Sequence, residues 1–135
     1  MEITKLSQEK ITRAWWLLKL TYGLVYIVAG ADKFLNIVTY WPKYVSPFLL
    51  TVLPISPEQL SMGVGIGEII LGLLILSVAT RLGAYISMIW LIVIALNLLS
   101  FGLGVYVDIA VRDIAMAVGA LVLAILTDVH DDVNR

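Results

Sequence analysis

Four apolar stretches constrain this chain more than any other feature. Each is long enough to cross a bilayer, which takes about 20 mostly apolar residues. They run over about 12–33, 58–79, 82–103 and 109–126, and 135 residues leave room beside them only for short connections. Hydrophobic residues make up 61% of the chain and charged ones 14%, against roughly 45–50% and about 25% in soluble domains. The expected fold is all-α: an antiparallel bundle of four transmembrane helices in one membrane domain, 1–135. A large soluble catalytic module is excluded by length.

The positive-inside rule sets the expected orientation. With both termini inside, Lys5, Lys10, Arg13, Arg81 and Arg135 fall on the inner side, and only Lys33 and Lys43 on the outer side. Residues 35–57 then form an outer interfacial loop. It holds all four prolines, Pro42, Pro47, Pro54 and Pro57, together with Tyr40, Trp41 and Tyr44, aromatic residues suited to the headgroup level. Residues 48–53 are too short to span and read as a surface segment. A helix beginning near Ser7 leads into the first span, Trp15 and Trp16 suit the inner interface, and 128–135 reads as a polar tail. A secretory signal peptide ending at Ala29-Gly30-Ala31 competes for the first span, but Lys19 interrupts its apolar stretch. Ser56-Pro57-Glu58-Gln59 has the pattern of a capping box with proline at the first helical position. Asp108 caps or precedes the fourth span.

Residue types exclude several chemistries. There is no cysteine, hence no dithiol and no cysteine-held iron–sulfur cluster. The one histidine, His130, lies in the tail, so a haem between helices would fall back on Met62, Met88 or Met116, which read better as packing residues. Zinc lacks ligands; no metal site is expected. A net charge of −1 without a basic block gives no nucleic-acid signature. The lipid bilayer is the one partner the composition itself implies.

Ionisable groups inside the spans are costly unless paired or hydrated. Here they are few: Lys19, Glu68, Arg112 and Asp113, with Asp32 and Lys33 at the outer end of the first span and Asn97 as the one amide. At about 1.5 Å per residue, Glu68 lies roughly 15 Å in from the outer end of its helix, Arg112 and Asp113 roughly 6–8 Å, and Asn97 roughly 9 Å. All fall in the outer half. Lys19, Tyr22, Tyr26, Gly30 and Lys33 share one helical stripe; Gly65, Glu68 and Gly72 share another; Asp108, Arg112, Ala115 and Gly119 share a third. The candidate site is therefore Tyr26, Lys33, Glu68, Asn97, Arg112 and Asp113. Two uses compete. In one, Glu68 pairs with Arg112 and Asp113 with Lys33 only to fix helix register. In the other, the cluster is a pocket open to the outer face for the head of a quinone, another small amphiphile or a small acidic ligand. Glu68 acting in a proton relay is a variant of the second use. Lys19, near the inner interface, is expected to snorkel. Gly63, Gly67, Gly72 and Gly119 are candidate packing positions. The GxxxG spacing of Gly63 and Gly67 is expected to serve packing within the chain, with a homo-oligomer as its other use.

Three segments carry a family resemblance. GLVYIVAGADKFLN at 23–36, with Gly30 and Lys33 in an AG-x-x-K element, resembles the first-helix signature of DoxX-like membrane proteins. GIGEIILGLLIL at 65–76 resembles their second-helix glycine and glutamate motif, and Arg81 follows in the short turn. VRDIAMAVGALVLAI at 111–125 is similar to their fourth-helix Arg-Asp motif. The resemblance covers residues 14–127. It implies a multi-pass protein of a prokaryotic cytoplasmic (inner) membrane, and it points to Lys33, Glu68, Arg112 and Asp113. It also implies a subunit or accessory of a membrane redox system, quinone/thiosulfate or oxidative-stress, with a membrane or soluble redox protein as partner and a quinone, not covalently bound, as cofactor. Whether such a chain catalyses a step itself stays open. The competing reading is a non-enzymatic assembly or trafficking module whose buried charges only fix packing.

Overall fold

The computed structural model describes residues 2–135. The chain forms α1 (Glu2–Leu35), a 3-10 turn (Trp41–Tyr44), α2 (Pro47–Val52), α3 (Pro57–Leu76), α4 (Thr80–Leu99) and α5 (Val107–Val133), with no strand among the described residues. Four helices, α1, α3, α4 and α5, are long and apolar enough to cross a membrane. This is the all-α, four-span architecture expected from the apolar runs.

Local chemistry sets the helix ends. The Ser56 hydroxyl accepts from the Gln59 amide at 3.2 Å, and the Gln59 side chain accepts from the Ser56 amide at 3.1 Å. Pro57 needs no donor partner in the first turn of α3. The chain leaves α1 through Asn36, whose φ of 51° lies in the left-handed region that asparagine tolerates at a helix end. Ser46 caps α2. Phe48, Leu50 and Val52 of that short helix stay exposed, as suits a segment lying at a bilayer surface.

Several boundaries differ from expectation. Helix α1 starts at Glu2 rather than near Ser7; nothing before Gly23 breaks a helix, and Glu, Lys, Gln and Leu favour one. Residues 128–133 continue α5 instead of forming a tail. Here Arg81 meets Asp128 at 3.1 Å, and the His130 ring stacks on Trp15 at 3.8 Å. Helix α4 stops at Leu99, where Ser100 turns its hydroxyl onto the Asn97 carbonyl. Asp108 lies inside the first turn of α5; the cap position is Tyr106, with no side-chain bond.

The bundle is built from two close pairs, α1 with α3 and α4 with α5, joined by lighter α1–α5 and α3–α4 contacts. The α1–α3 seam brings backbone against backbone. A Cβ added at Gly30 would lie 2.5 Å from the Gly65 carbonyl oxygen, and one at Gly65 would lie 2.6 Å from that of Gly30. Gly72 repeats the contact against Gly23 two turns away. Gly119 of α5 leaves room for the Tyr22 ring and hydroxyl. Gly63 and Gly67 do not pack within the chain: both are exposed and face open space. They stand two positions from Gly65, about 200° around the helix from the seam. In the α4–α5 pair, small residues do the equivalent work, with Ala84, Ala95, Ala110, Ala117, Ala120 and Ala124 buried.

Candidate functional site

Helix α1 delivers Asp32 and Lys33 to the end of the bundle nearest the 36–56 loop. The Lys33 ammonium donates to the Glu68 carboxylate at 2.6 Å, with the two residues only 8% and 5% exposed. The pair is possible because Gly65, one turn from Glu68, lets α1 approach until the Lys33 Cβ reaches the α3 backbone. The packing-only reading of the sequence paired Glu68 with Arg112 and Lys33 with Asp113. The observed pairing differs because α3 packs on α1 far more closely than on α5.

The loop closes over this pair. The Trp41 ring lies 3.8 Å from the Lys33 ammonium, a cation–π contact, and its indole N–H donates to Asp32 at 2.7 Å. The second charge of the Asp32-Lys33 dipeptide thus anchors the lid of the first. Asp32 also accepts from the Ile37 and Val38 amides at 2.9 and 3.0 Å, which folds the chain back along α1. Asp32 and Trp41 were not among the candidates. The adjacency of Asp32 to Lys33 was the available signal for the first; an interfacial role for Trp41 hid its contact with Lys33.

Nearer the bundle centre, Tyr26 shares a 2.6 Å hydrogen bond with Ser87 of α4, a residue with no sequence signal of its own. Tyr22 donates to the Met116 carbonyl of α5. Asp113 is half-buried, close enough to Glu68, Lys33 and Tyr26 for their charges to act on one another. It has no ion-pair partner among the described residues. Two candidates stand outside this group. Arg112 is exposed on the outer surface of α5, because successive helical residues splay by about 100° and Asp113 takes the inward direction. Asn97 binds the loop instead, donating to the Tyr44 carbonyl at 2.7 Å and accepting from the Ser46 amide at 3.2 Å. At the loop surface Tyr40 donates to Glu58 at 2.8 Å, a bond that holds the phenol above its usual pKa.

Lys19 does not reach into water. It is 8% exposed and donates to the Ser77 carbonyl at 3.1 Å, beside the Trp15 and Trp16 rings. A cation there complements the carbonyl end of α3.

Two surface grooves run along α1. One, of about 340 Å³, is lined by Leu24, Val25, Val28, Ala29 and Val38, with Asp32 and Trp41 at its head. The other, of about 320 Å³, is lined by Thr12, Arg13, Trp16, Leu17 and Leu20. Neither is lined by Glu68, Asn97, Arg112 or Asp113. The first meets the polar cluster only through the Asp32–Trp41 wall.

Four spans, a glycine-lined helix seam and an intramembrane Lys–Glu pair define a small multi-pass membrane protein. The DoxX family model matches residues 14–98, and the chain belongs to the DoxX family. The matched stretch contains Tyr26, Lys33, Glu68 and Asn97; Arg112 and Asp113 lie beyond it. No curated protein and no solved structure matches the chain.

Proposed function

We propose that this protein is a membrane-embedded accessory subunit of a redox or oxidative-stress system, and that the α1 groove headed by Trp41 holds a quinone. The DoxX family is often linked to redox or stress systems. The observation that carries the reading is the position of Trp41, which both lines the groove and lies over the Lys33 ammonium. A quinone has a flat ring, two hydrogen-bond-accepting oxygens and an apolar tail. Leu24, Val25, Val28 and Val38 fit the tail. Trp41 offers a flat face, and the Lys33 ammonium, 3.8 Å from its ring, holds that face in place. Bound there, the quinone would supply two-electron carrier chemistry. The chain's own residues bind and orient: Asp32 fixes the indole, and Glu68 holds Lys33 in place beside it. In this reading a redox-protein partner docks at the loop, and the loop faces the outside of a prokaryotic inner membrane.

The test is binding of decylubiquinone to the purified protein, followed by quenching of tryptophan fluorescence. Lys33→Met and Trp41→Leu are expected to weaken binding at least tenfold, with Leu73→Trp on an exposed face as a neutral control. Unchanged binding in both variants would overturn the site. A second reading, a packing module without ligand, is favoured by one observation: the Lys33–Glu68 pair is complete in itself and sealed. Absence of any quinone binding, with a normally folded protein, selects that reading.

A further inference from the structure

The second groove on α1 has its own chemistry, at the opposite end from the Lys33–Glu68 pair. Helix α1 is 34 residues long, about 51 Å at 1.5 Å per residue. A hydrocarbon core of about 30 Å leaves its first turns outside the membrane. Leu6, Lys10, Arg13, Leu17 and Leu20 follow one another at spacings of three and four residues and are all exposed, so they form one outward stripe. Where the stripe enters the bilayer, Thr12, Arg13, Trp16, Leu17 and Leu20 enclose the groove of about 320 Å³. The order along it is basic, aromatic, aliphatic, which is the order of phosphate, glycerol and acyl chain in a phospholipid leaflet.

Two observations argue for an anionic occupant. Arg13 makes no ion pair among the described residues, although Glu9 is one turn away, and so its planar donor fork is free for a phosphate. The wall behind the groove is positive as well: the Lys19 ammonium lies 5.2 Å from the Trp16 ring. Asp131 acts on Lys19 from α5, but no acidic side chain lines the groove.

We propose that this groove binds one anionic phospholipid, its phosphate on Arg13 and Lys10, its glycerol region against Trp16 and one acyl chain along Leu17 and Leu20. The site is independent of the quinone reading, since it shares no lining residue with the Trp41 groove. It would fasten the end of the bundle that carries both chain termini to a negatively charged leaflet.

The experiment reconstitutes the full chain in phosphatidylcholine vesicles containing a minor fraction of lipid with brominated chains, which quench nearby indoles. Comparison with Trp16→Phe isolates the Trp16 signal. Brominated phosphatidylglycerol is expected to quench Trp16 severalfold more than brominated phosphatidylcholine at the same mole fraction. Arg13→Gln and Lys10→Gln are each expected to weaken that preference about fivefold, the effect of one basic residue near an anionic surface. Equal quenching by the two lipids, or a preference that survives both substitutions, would overturn the proposal. A readout that needs no substitution is native mass spectrometry of the unaltered protein from a mixture of the two lipids. Retained phosphatidylglycerol supports the site, and equal retention of both lipids overturns it.

Discussion

Lys33 and Glu68 stand 35 residues apart in sequence and meet at 2.6 Å, with their side chains 8% and 6% exposed. The contact joins the last turn of α1 to the middle of α3. It exists because two glycine backbones, at 30 and 65, remove the side chains that would hold the helices apart. Packing and electrostatics are thus one feature at this place: the seam sets the distance, and the pair sets the register.

The two charges should be worth far more together than apart. Lys33→Met leaves Glu68 buried without a cation, and Glu68→Leu leaves Lys33 without an anion. Each is expected to destabilise by about 3–5 kcal/mol. The double substitution should recover most of the loss, because it removes both desolvation costs along with the attraction. Thermal unfolding of the four proteins in one detergent, read as a double-mutant cycle, checks this. Additive losses would mean that the pair is not coupled.

The glycines divide into two groups with opposite expectations. Gly65→Ala places a methyl 2.6 Å from the Gly30 carbonyl oxygen; the helices must part, at a cost of about 1–3 kcal/mol, and the Lys33–Glu68 distance should lengthen with them. Gly63→Ala and Gly67→Ala meet nothing within 4 Å and should be neutral or slightly stabilising, since alanine favours a helix. Detergent melting curves of the three variants decide the matter, and a loss at Gly63 or Gly67 would indicate a contact with another molecule.

The four spans were legible because the bilayer demands a long apolar run for each, and the capping box at Ser56 because its two bonds lie three residues apart. The site was legible in part. Spacing places Lys33, Tyr26 and Glu68 on faces of their own helices, but it does not say which helices touch most closely. That choice, α1 against α3, decided that Glu68 meets Lys33 and not Arg112. Gly63 and Gly67 carry a recognisable motif, yet the seam uses Gly65 and Gly72, which stand seven residues apart. Asn97 gave no hint of its partners because both are backbone groups of a loop some fifty residues away. Backbone acceptors and donors leave no mark in a sequence.

The loop hangs on two polar anchors, and each should release it in a different place. Asp32→Asn removes the charge from the acceptor that holds the Ile37 and Val38 amides and the Trp41 indole. Hydrogen exchange should rise over 36–41 while 44–46 stays protected. Asn97→Leu removes both the donor to Tyr44 and the acceptor from Ser46, and should expose 44–49 while 36–41 stays protected. Exchange mapped by mass spectrometry distinguishes the two, and simultaneous opening of the whole loop in either variant would contradict independent anchoring.

The last expectation concerns the opposite end of the bundle. Lys19 sits where three elements meet: it donates to the Ser77 carbonyl at the end of α3, and its ammonium lies 4.6 Å from the Trp15 ring, which stacks on His130 of α5. Trp15 in turn donates to the Thr127 hydroxyl at 2.9 Å. Lys19→Met keeps the aliphatic stem and removes the charge, so the apolar contacts survive while the Ser77 carbonyl keeps only the Thr80 hydroxyl as donor. Loss of one such bond at a carbonyl that keeps another donor is worth about 0.5–1.5 kcal/mol. The stack, held by ring contact and by Thr127, should persist, and the Trp15 indole should keep its emission in Lys19→Met relative to a Trp16→Phe background. Thr127→Val should do the reverse, freeing the indole N–H and loosening the end of α5 while leaving the α3 terminus intact. If Lys19→Met instead unlocks residues 127–133 to hydrogen exchange, the ammonium rather than the ring stack is what holds α5 to α1.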